Sequence, residues 1–328
     1  MGLEKITINS KDGIGLVLSG GGARAAYQVG VIKALKEKGV NFQVVAGTSS
    51  GALNAALVAS DRIEKMIQIW ENINPSKVMG ISPMGFMNGS LLTTKPLEKL
   101  IREGIDETSA KKIIESPIKL IVVSSDLRTK QAVIHQNFKS YGEIVHTLLS
   151  STAIPLAFPV QKLLGDKEEV LMQLIDGGII NNFPIKEVIE TGLCKTLFTV
   201  SLYTPELSKI ENKKWYHNDL VNIGMRTLDV LFTNSYEKSI SEVKEKIELA
   251  NDLKKLIGKK AYFTKAKKEA KERCDEKLEF YEGRRVIEIN SRKELPADLM
   301  DFYSDKTKKA IAMGYEDALR VLEYVVVK

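Results

Sequence analysis

Three short stretches of this chain carry residue types that can do chemistry together. The first is Ser19-Gly20-Gly21-Gly22-Ala23-Arg24-Ala25, between an apolar run and a helical period. Consecutive glycines let the backbone turn so that several N–H groups point into one small space, and the next helix start adds partial positive charge. Such a nest holds an anion, either a phosphate or a developing oxyanion. Gly20, Gly22 and Ala25 also satisfy the dinucleotide pattern GxGxx(G/A). A dinucleotide fold then needs an acidic residue at the end of the second strand. Ala46-Gly47-Thr48 stands there instead, so the cofactor reading fails.

The second stretch is Gly47-Thr48-Ser49-Ser50-Gly51, a GxSxG placed between a strand and a helix of small residues. This is the pattern of a nucleophile elbow, a turn so sharp that its flanks must be tiny while the serine Oγ stands exposed over a helix N-terminus. A serine hydroxyl needs a base to take its proton. The chain has three histidines, His135, His146 and His217. His135 falls in a strand-like run, His146 on an amphipathic helix and His217 in a polar connection, and none has a distinctive setting. The third stretch, Asp176-Gly177-Gly178 after Leu174-Ile175, offers another base, because an aspartate followed by glycines can approach a second backbone closely. Asp-Gly is equally the dipeptide of a plain turn.

The elements that must position these groups alternate in the manner of an α/β protein. Ile14 to Leu18 and Val44 to Ala46 read as buried strands, with a helical period through Val29, Ile32 and Leu35 between them. Ile118 to Val123 and Ala132 to His135 read as paired strands joined by a polar turn near Arg128, and Val170 to Ile175 and Thr196 to Leu202 supply two more. Such alternation predicts a mostly parallel sheet covered on both faces. After Thr204 the character changes. Ile240, Val243, Ile247, Ala250 and Ile257 have helical spacing that ends at Gly258, and Ala266, Ala270, Cys274 and Leu278 recur every fourth residue. These read as an exposed, lysine-rich helical hairpin spanning about residues 205–284, an appendage to a single domain over residues 1–328. A returning strand at Val286 to Ile289 comes next, then a last helix through Ile311, Tyr315, Leu319 and Leu322.

Composition narrows the classes further. Two cysteines without metal-ligand spacing fit a reduced, cytoplasmic protein. The first residues lack a signal-peptide core, Ile6 stands where a myristoylation signal needs Ser or Thr, and no apolar run approaches a membrane span. The net charge of +6 is compatible with an anionic partner such as acidic lipid headgroups. Met79, Ile81, Met84, Phe86 and Met87 form an apolar loop that either covers a site or tucks into the core. Lys254 through Lys271, around Leu256, Ile257, Tyr262 and Phe263, reads either as a surface-seeking basic face or as a solvated helix. No nucleic-acid-binding motif accompanies it, so no nucleic-acid partner is expected.

Taken together, Gly20-Gly21-Gly22-Ala23-Arg24, Gly47-Thr48-Ser49-Ser50-Gly51 and Asp176-Gly177-Gly178 resemble the oxyanion loop, elbow and distant DGG of the patatin-like phospholipase family. Ser151-Thr152-Ala153-Ile154-Pro155-Leu156-Ala157-Phe158-Pro159 resembles that family's Ser-x-Ala-x-Pro-x-x-Phe-Pro segment, and Asn182 and Pro184 match the residues usual just after DGG. Leu299 to Phe302, Gly314-Tyr315 and Asp317-Ala318 resemble the end of bacterial members, while Val160 replaces a frequent second proline. The resemblance implies a three-layer α/β/α sandwich and a Ser–Asp dyad, Ser49 with Asp176, that works without histidine, metal or cofactor. It implies an oxyanion hole at Gly20, Gly21 and Gly22, with Arg24, Gly47, Gly51, Pro155, Gly177 and Gly178 in support. The expected activity is hydrolysis of lipid acyl esters, as a phospholipase A or lysophospholipase, through an acyl-serine. Two alternatives are a transacylase passing the acyl group to an alcohol and a catalytically idle lipid-binding module. His217, the one histidine beyond Asp176, keeps a Ser–His–Asp triad open as a further arrangement.

Overall fold

The computed structural model describes residues 6–9, 12–83, 89–165, 168–203, 220–258 and 280–327. Its strands are Ile6–Ile8 (β1), Ile14–Leu18 (β2), Val44–Thr48 (β3), Gly80–Ile81 (β4), Leu92–Thr93 (β5), Lys119–Asp126 (β6), Gln131–His135 (β7), Gln161–Leu164 (β8), Val170–Asp176 (β9), Thr196–Val200 (β10), Arg285–Glu288 (β11) and Val325–Val327 (β12). Helices Ala26–Glu37 (α1), Ser50–Ala59 (α2), Ile63–Glu71 (α3), Pro75–Val78 (α4), Lys95–Gly104 (α5), Glu107–Glu115 (α6), Tyr141–Ser151 (α7) and Ile185–Glu190 (α8) precede a long helix, Leu220–Gly258, and a C-terminal helix, Ser304–Leu322.

The central sheet runs β11-β10-β2-β3-β6-β9-β8. Strands β11, β10, β2, β3 and β6 are mutually parallel. Every residue of β2, β3 and β10 is buried, as continuous apolar runs in a sheet covered on both faces should be. Helices α1, α2, α3, α7 and the C-terminal helix pack on one face, while α8 and the long helix cover the other. The α/β/α expectation holds, with the parallel sheet extended by antiparallel partners at one end.

The pairing of β6 brings the site together. Residues Val122 to Asp126 of β6 pair with β7 on one edge. On the opposite edge β3 occupies the first part, ending at Thr48↔Val123, and β9 occupies the rest, beginning at Asp176↔Ser124. Strands β3 and β9 run in opposite directions, so their C-terminal ends meet head to head beside adjacent residues of β6. Ser49 follows the end of β3 and Asp176 ends β9, a juxtaposition that two parallel strands would not give.

One helix crossing depends on missing side chains. A Cβ on Gly30 of α1 would lie 1.9 Å from the Ile311 carbonyl, and one on Gly314 would lie 2.0 Å from the Tyr27 carbonyl. The two helices therefore pack backbone to backbone, and Tyr27 Oη donates to Asp317 across the crossing at 2.9 Å. The Gly314-Tyr315 and Asp317-Ala318 signature thus reflects packing.

The long helix departs from the expected appendage. Phe232, Tyr236, Ile240, Val243 and Ala250 are buried against the core. The helix belongs to the main body as far as Ala250, because its buried apolar stripe begins at Leu228, ahead of the charged stretch that dominates the sequence pattern. The second arm of the expected hairpin, with Ala266, Ala270, Cys274 and Leu278, lies outside the described residues, as do Tyr262, Phe263 and Lys259 to Lys271.

Candidate active site

Ser49 occupies a backbone conformation that few residues adopt, with φ 54° and ψ −128° at the N-terminus of α2. Such strain persists only where its surroundings force it. Here a Cβ on Gly47 would stand 2.3 Å from the Gly51 carbonyl oxygen, and one on Gly51 would stand 2.5 Å from that of Ser19. Only glycine fits either flank of the elbow. The Ser49 N–H donates to Ser151 Oγ at 2.9 Å, and Ser151 Oγ in turn donates to the Val123 carbonyl at 2.6 Å. Ser151 is therefore the clamp on the strained residue, a role its position in the Ser-x-Ala-x-Pro segment did not disclose.

Ser49 Oγ donates to Asp176 Oδ2 at 2.6 Å. The other carboxylate oxygen, Oδ1, accepts the Gly178 N–H at 2.8 Å. Asp176 is fully buried. Burial pushes its carboxyl up to about 7, against the opposing pull of the hydrogen bonds from Ser49 and Gly178. Gly177 and Gly178 make this depth possible, since a Cβ on Gly177 would lie 2.3 Å from the Val123 carbonyl and one on Gly178 2.7 Å from the Phe232 ring.

The glycine loop is held from two sides. Gly22 has φ +57°, and a Cβ there would meet the Leu299 carbonyl at 1.9 Å. The same carbonyl accepts the Ala23 N–H at 3.0 Å, which explains the Leu299-to-Phe302 signature. Asn182 Oδ1 accepts the Gly20 N–H at 3.0 Å, and its Nδ2 donates to the Phe232 carbonyl at 3.3 Å. Gly20 is thus corrected as an oxyanion donor, because its N–H is already used within the protein. Among the described residues, the N–H groups of Gly21, Gly22 and Ser50 have no protein acceptor.

Arg24 anchors the loop to the long helix. It pairs with Asp229 at 2.6 Å and also with Asp298, and its guanidinium lies 5.8 Å from the Tyr203 ring centroid. Ser235 Oγ, farther along the same helix, accepts the Asn182 N–H at 2.8 Å. Asp229 and Ser235 carry no sequence signature of this role. They lie far from every motif, and only the fold brings them in.

The two described histidines stand apart. His135 Nε2 is 2.7 Å from Ser124 Oγ, and burial lowers its imidazole to about 4. His146 Nε2 is 3.2 Å from the Lys162 carbonyl. Neither touches Ser49 or Asp176, and His217 lies outside the described residues. Among the described residues no group of three or more His, Cys, Asp or Glu is placed to hold a metal ion.

A cavity of about 760 Å³, its open mouth included, leads away from Ser49. Leu53, Leu57, Ile69, Trp70, Leu97 and Ile101 contribute to its walls, and Thr152, Ile154 and Phe158 belong to the segment around Pro155. Ser50 Oγ, buried and without a protein partner among the described residues, lies beside Ser49 in the same wall. Nothing in the residue pattern discloses this cavity, because α3 and α5 look like ordinary amphipathic helices whether their apolar faces meet core or empty space.

A GxSxG turn between strand and helix on an α/β sandwich, with a buried carboxylate within hydrogen-bond reach of its serine, matches a known kind of fold. The chain belongs to the patatin-like phospholipase family, whose family model matches residues 16–189. It is 30% identical over 175 residues to neuropathy target esterase sws of Drosophila sechellia, a match covering 52% of this chain and 11% of that protein. A patatin-like phospholipase domain-containing protein of Caenorhabditis elegans is 29% identical over 177 residues, covering 52% of this chain and 12% of the relative. The matched segment is thus about a tenth of the length of either relative. Among solved structures, VipD from Legionella pneumophila aligns with a TM-score of 0.46 at 17% identity, covering 95% of this chain and 67% of that one.

Proposed function

We propose that this protein is a serine acyl hydrolase of lipid esters, of phospholipase A or lysophospholipase type, working through Ser49 and Asp176. The observation that carries the reading is the 2.6 Å contact from Ser49 Oγ to Asp176 Oδ2 at the head of an apolar cavity. Family membership and the word esterase in a relative's name point the same way.

In this mechanism Oγ attacks the ester carbonyl as Asp176 takes its proton. A carboxylate of ordinary affinity would accept that proton poorly, whereas one raised to about 7 is matched to neutral pH. The Gly21 and Gly22 N–H groups, with that of Ser50 at the start of α2, stabilise the oxyanion. Each such donor contributes about 3 kcal/mol to the transition state. The protonated Asp176 then returns the proton to the leaving alkoxide. In the second half Asp176 draws a proton from water as the water oxygen attacks the acyl-serine carbonyl. It then gives that proton to Ser49 Oγ as the C–Oγ bond breaks, releasing the fatty acid and restoring Ser49 and the Asp176 carboxylate. The acyl chain lies in the apolar cavity throughout.

The test compares hydrolysis of a short-chain soluble ester and of a lysophospholipid by wild type, Ser49→Ala, Asp176→Asn and His217→Ala. The reading requires loss of both activities in the first two variants and retention in the third. Full activity of Asp176→Asn would remove the dyad, and loss in His217→Ala would favour a triad. Release of acyl-alcohol rather than free acid when an alcohol is added would convert the hydrolase into a transacylase.

A further inference from the structure

Four large apolar side chains stand in solvent at the edge of the cavity, on three segments of chain and the long helix. Ile81 is 85% exposed, Leu156 63%, Ile223 51% and Leu91 45%. Backbone pairing and close approach link their segments. Ile81 pairs with Leu92 between β4 and β5, and the Leu91 N–H donates to the Leu156 carbonyl at 2.9 Å. Leu156 Cδ1 comes within 3.7 Å of where a Cβ on Gly224 would stand, next to Ile223. Each of the three segments also runs into a cavity wall, through Val78, Leu97, and the pair Ile154 and Phe158.

Two further observations separate this ridge from scattered surface apolar residues, which need no explanation. Leu156 has φ +69°, in the left-handed region where a branched side chain is disfavoured. A strained leucine pointing into water is unfavourable twice over, and such outliers collect at functional positions. The segments that carry the ridge are also poor in acidic residues: 72–83, 89–97, 151–165 and 223–228 contain no Asp or Glu, with Glu71, Glu98, Asp166 and Asp229 lying just beyond their ends. Lys77, Lys95 and Lys162, all exposed, lie in these segments.

We infer that the ridge of Ile81, Leu91, Leu156 and Ile223 docks on an anionic lipid surface, an inference that rests on the acyl-hydrolase reading of the adjoining cavity. The apolar tips enter the boundary between headgroups and acyl chains, while the lysines meet lipid phosphates. Continuity of ridge and cavity lets an acyl chain pass from the bilayer to Ser49 along apolar surface, without crossing water. No helix among the described residues is long and apolar enough to cross a membrane.

The test uses the full chain with vesicles of phosphatidylcholine alone and of phosphatidylcholine with phosphatidylglycerol, alongside a soluble short-chain ester. Leu156→Asn replaces an exposed leucine with a residue that tolerates left-handed backbone. Its melting temperature is expected to equal or exceed that of wild type, so weaker binding would not reflect misfolding. Leu156→Asn and Ile81→Ser are each expected to reduce affinity for anionic vesicles by about tenfold, the effect of withdrawing one large apolar side chain from lipid. Ester hydrolysis by the same variants should stay within about twofold, since neither side chain lines the cavity. Unchanged vesicle affinity in the double variant, or failure of wild type to bind vesicles, overturns the ridge. Equal wild-type affinity for the two vesicle types overturns its anionic preference. Wild type that binds vesicles through the ridge but hydrolyses no ester sinks the acyl-hydrolase reading while leaving the docking surface standing.

Discussion

Replacing Asp176 with asparagine should make the protein more stable at alkaline pH while abolishing its activity. The carboxyl is raised from an ordinary 3.8 to about 7 because burial outweighs the hydrogen bonds from Ser49 and Gly178. At about 1.4 kcal/mol for each tenfold change in proton affinity, this amounts to about 4 kcal/mol between the two protonation states. Between pH 4 and 7 the native protein holds a proton that the unfolded chain has released. Raising pH through that interval therefore lowers stability, and the loss is complete above pH 7. Asparagine has the same shape and no charge. It keeps an acceptor for the Gly178 N–H, but it presents an amide to Ser49 and weakens that hydrogen bond by about 1–2 kcal/mol. The variant is thus expected to exceed wild type by about 2–3 kcal/mol at pH 8 and to match it or fall slightly below at pH 4.5. Urea unfolding of both proteins at half-unit steps from pH 4.5 to 9 measures the difference directly. A stability difference independent of pH, or wild type the more stable at pH 8, would refute the idea that burial alone raises this carboxyl.

Four other outcomes are expected from the same geometry. The kcat/KM for a neutral soluble ester should rise with pH and level off above about 7, as the base loses its proton; a profile flat from pH 5 to 9 contradicts it. Gly30→Ala should lower the melting temperature sharply, by overpacking worth about 3 kcal/mol or more, because the Ile311 backbone cannot move away without parting two helices. Arg24→Ala should cost less than the about 3–5 kcal/mol typical of stranding a buried charge, because Arg226 still pairs with Asp229 at 2.9 Å; calorimetry and kcat together would show the glycine loop loosened. Gly104→Leu fills cavity space between Ile69 and Leu57, so the acyl-chain optimum should shorten while acetyl-ester turnover stays within about threefold; an unchanged chain-length profile would take acyl binding out of this cavity.

Much of the geometry of the candidate site was legible in the sequence because it is enforced by small residues. Gly47, Gly51, Gly177 and Gly178 each stand where a Cβ would collide with backbone or ring, and such positions leave a fixed mark in the chain. The parallel strands were equally plain, since β2, β3 and β10 are buried on both faces and so read as unbroken apolar runs. Partnership at a distance is what stays hidden. Asp229 and Ser235 reach Arg24 and Asn182 from a helix that looks in sequence like a charged appendage. The cavity is hidden for another reason: Ile69, Leu97 and Ile101 follow the same helical period that would bury them in solid core. Gly20 fits the oxyanion motif as well as its neighbours do, and only the hydrogen bond to Asn182 distinguishes it. The loop from Met79 to Met87 divides, with Met79 packed on the core, Ile81 in solvent, and Met84, Phe86 and Met87 outside the described residues.

Whether Ser49 is a nucleophile activated by Asp176 alone is tested most directly by labelling with a fluorophosphonate. Rate and site are read by intact mass and peptide mapping for wild type, Ser49→Ala, Asp176→Asn and His217→Ala. A dyad without histidine predicts one adduct on Ser49 in wild type and in His217→Ala at similar rates, and none in Ser49→Ala. Labelling should slow by about a hundredfold or more in Asp176→Asn. An adduct on another residue, or Asp176→Asn labelled as fast as wild type, would contradict the dyad.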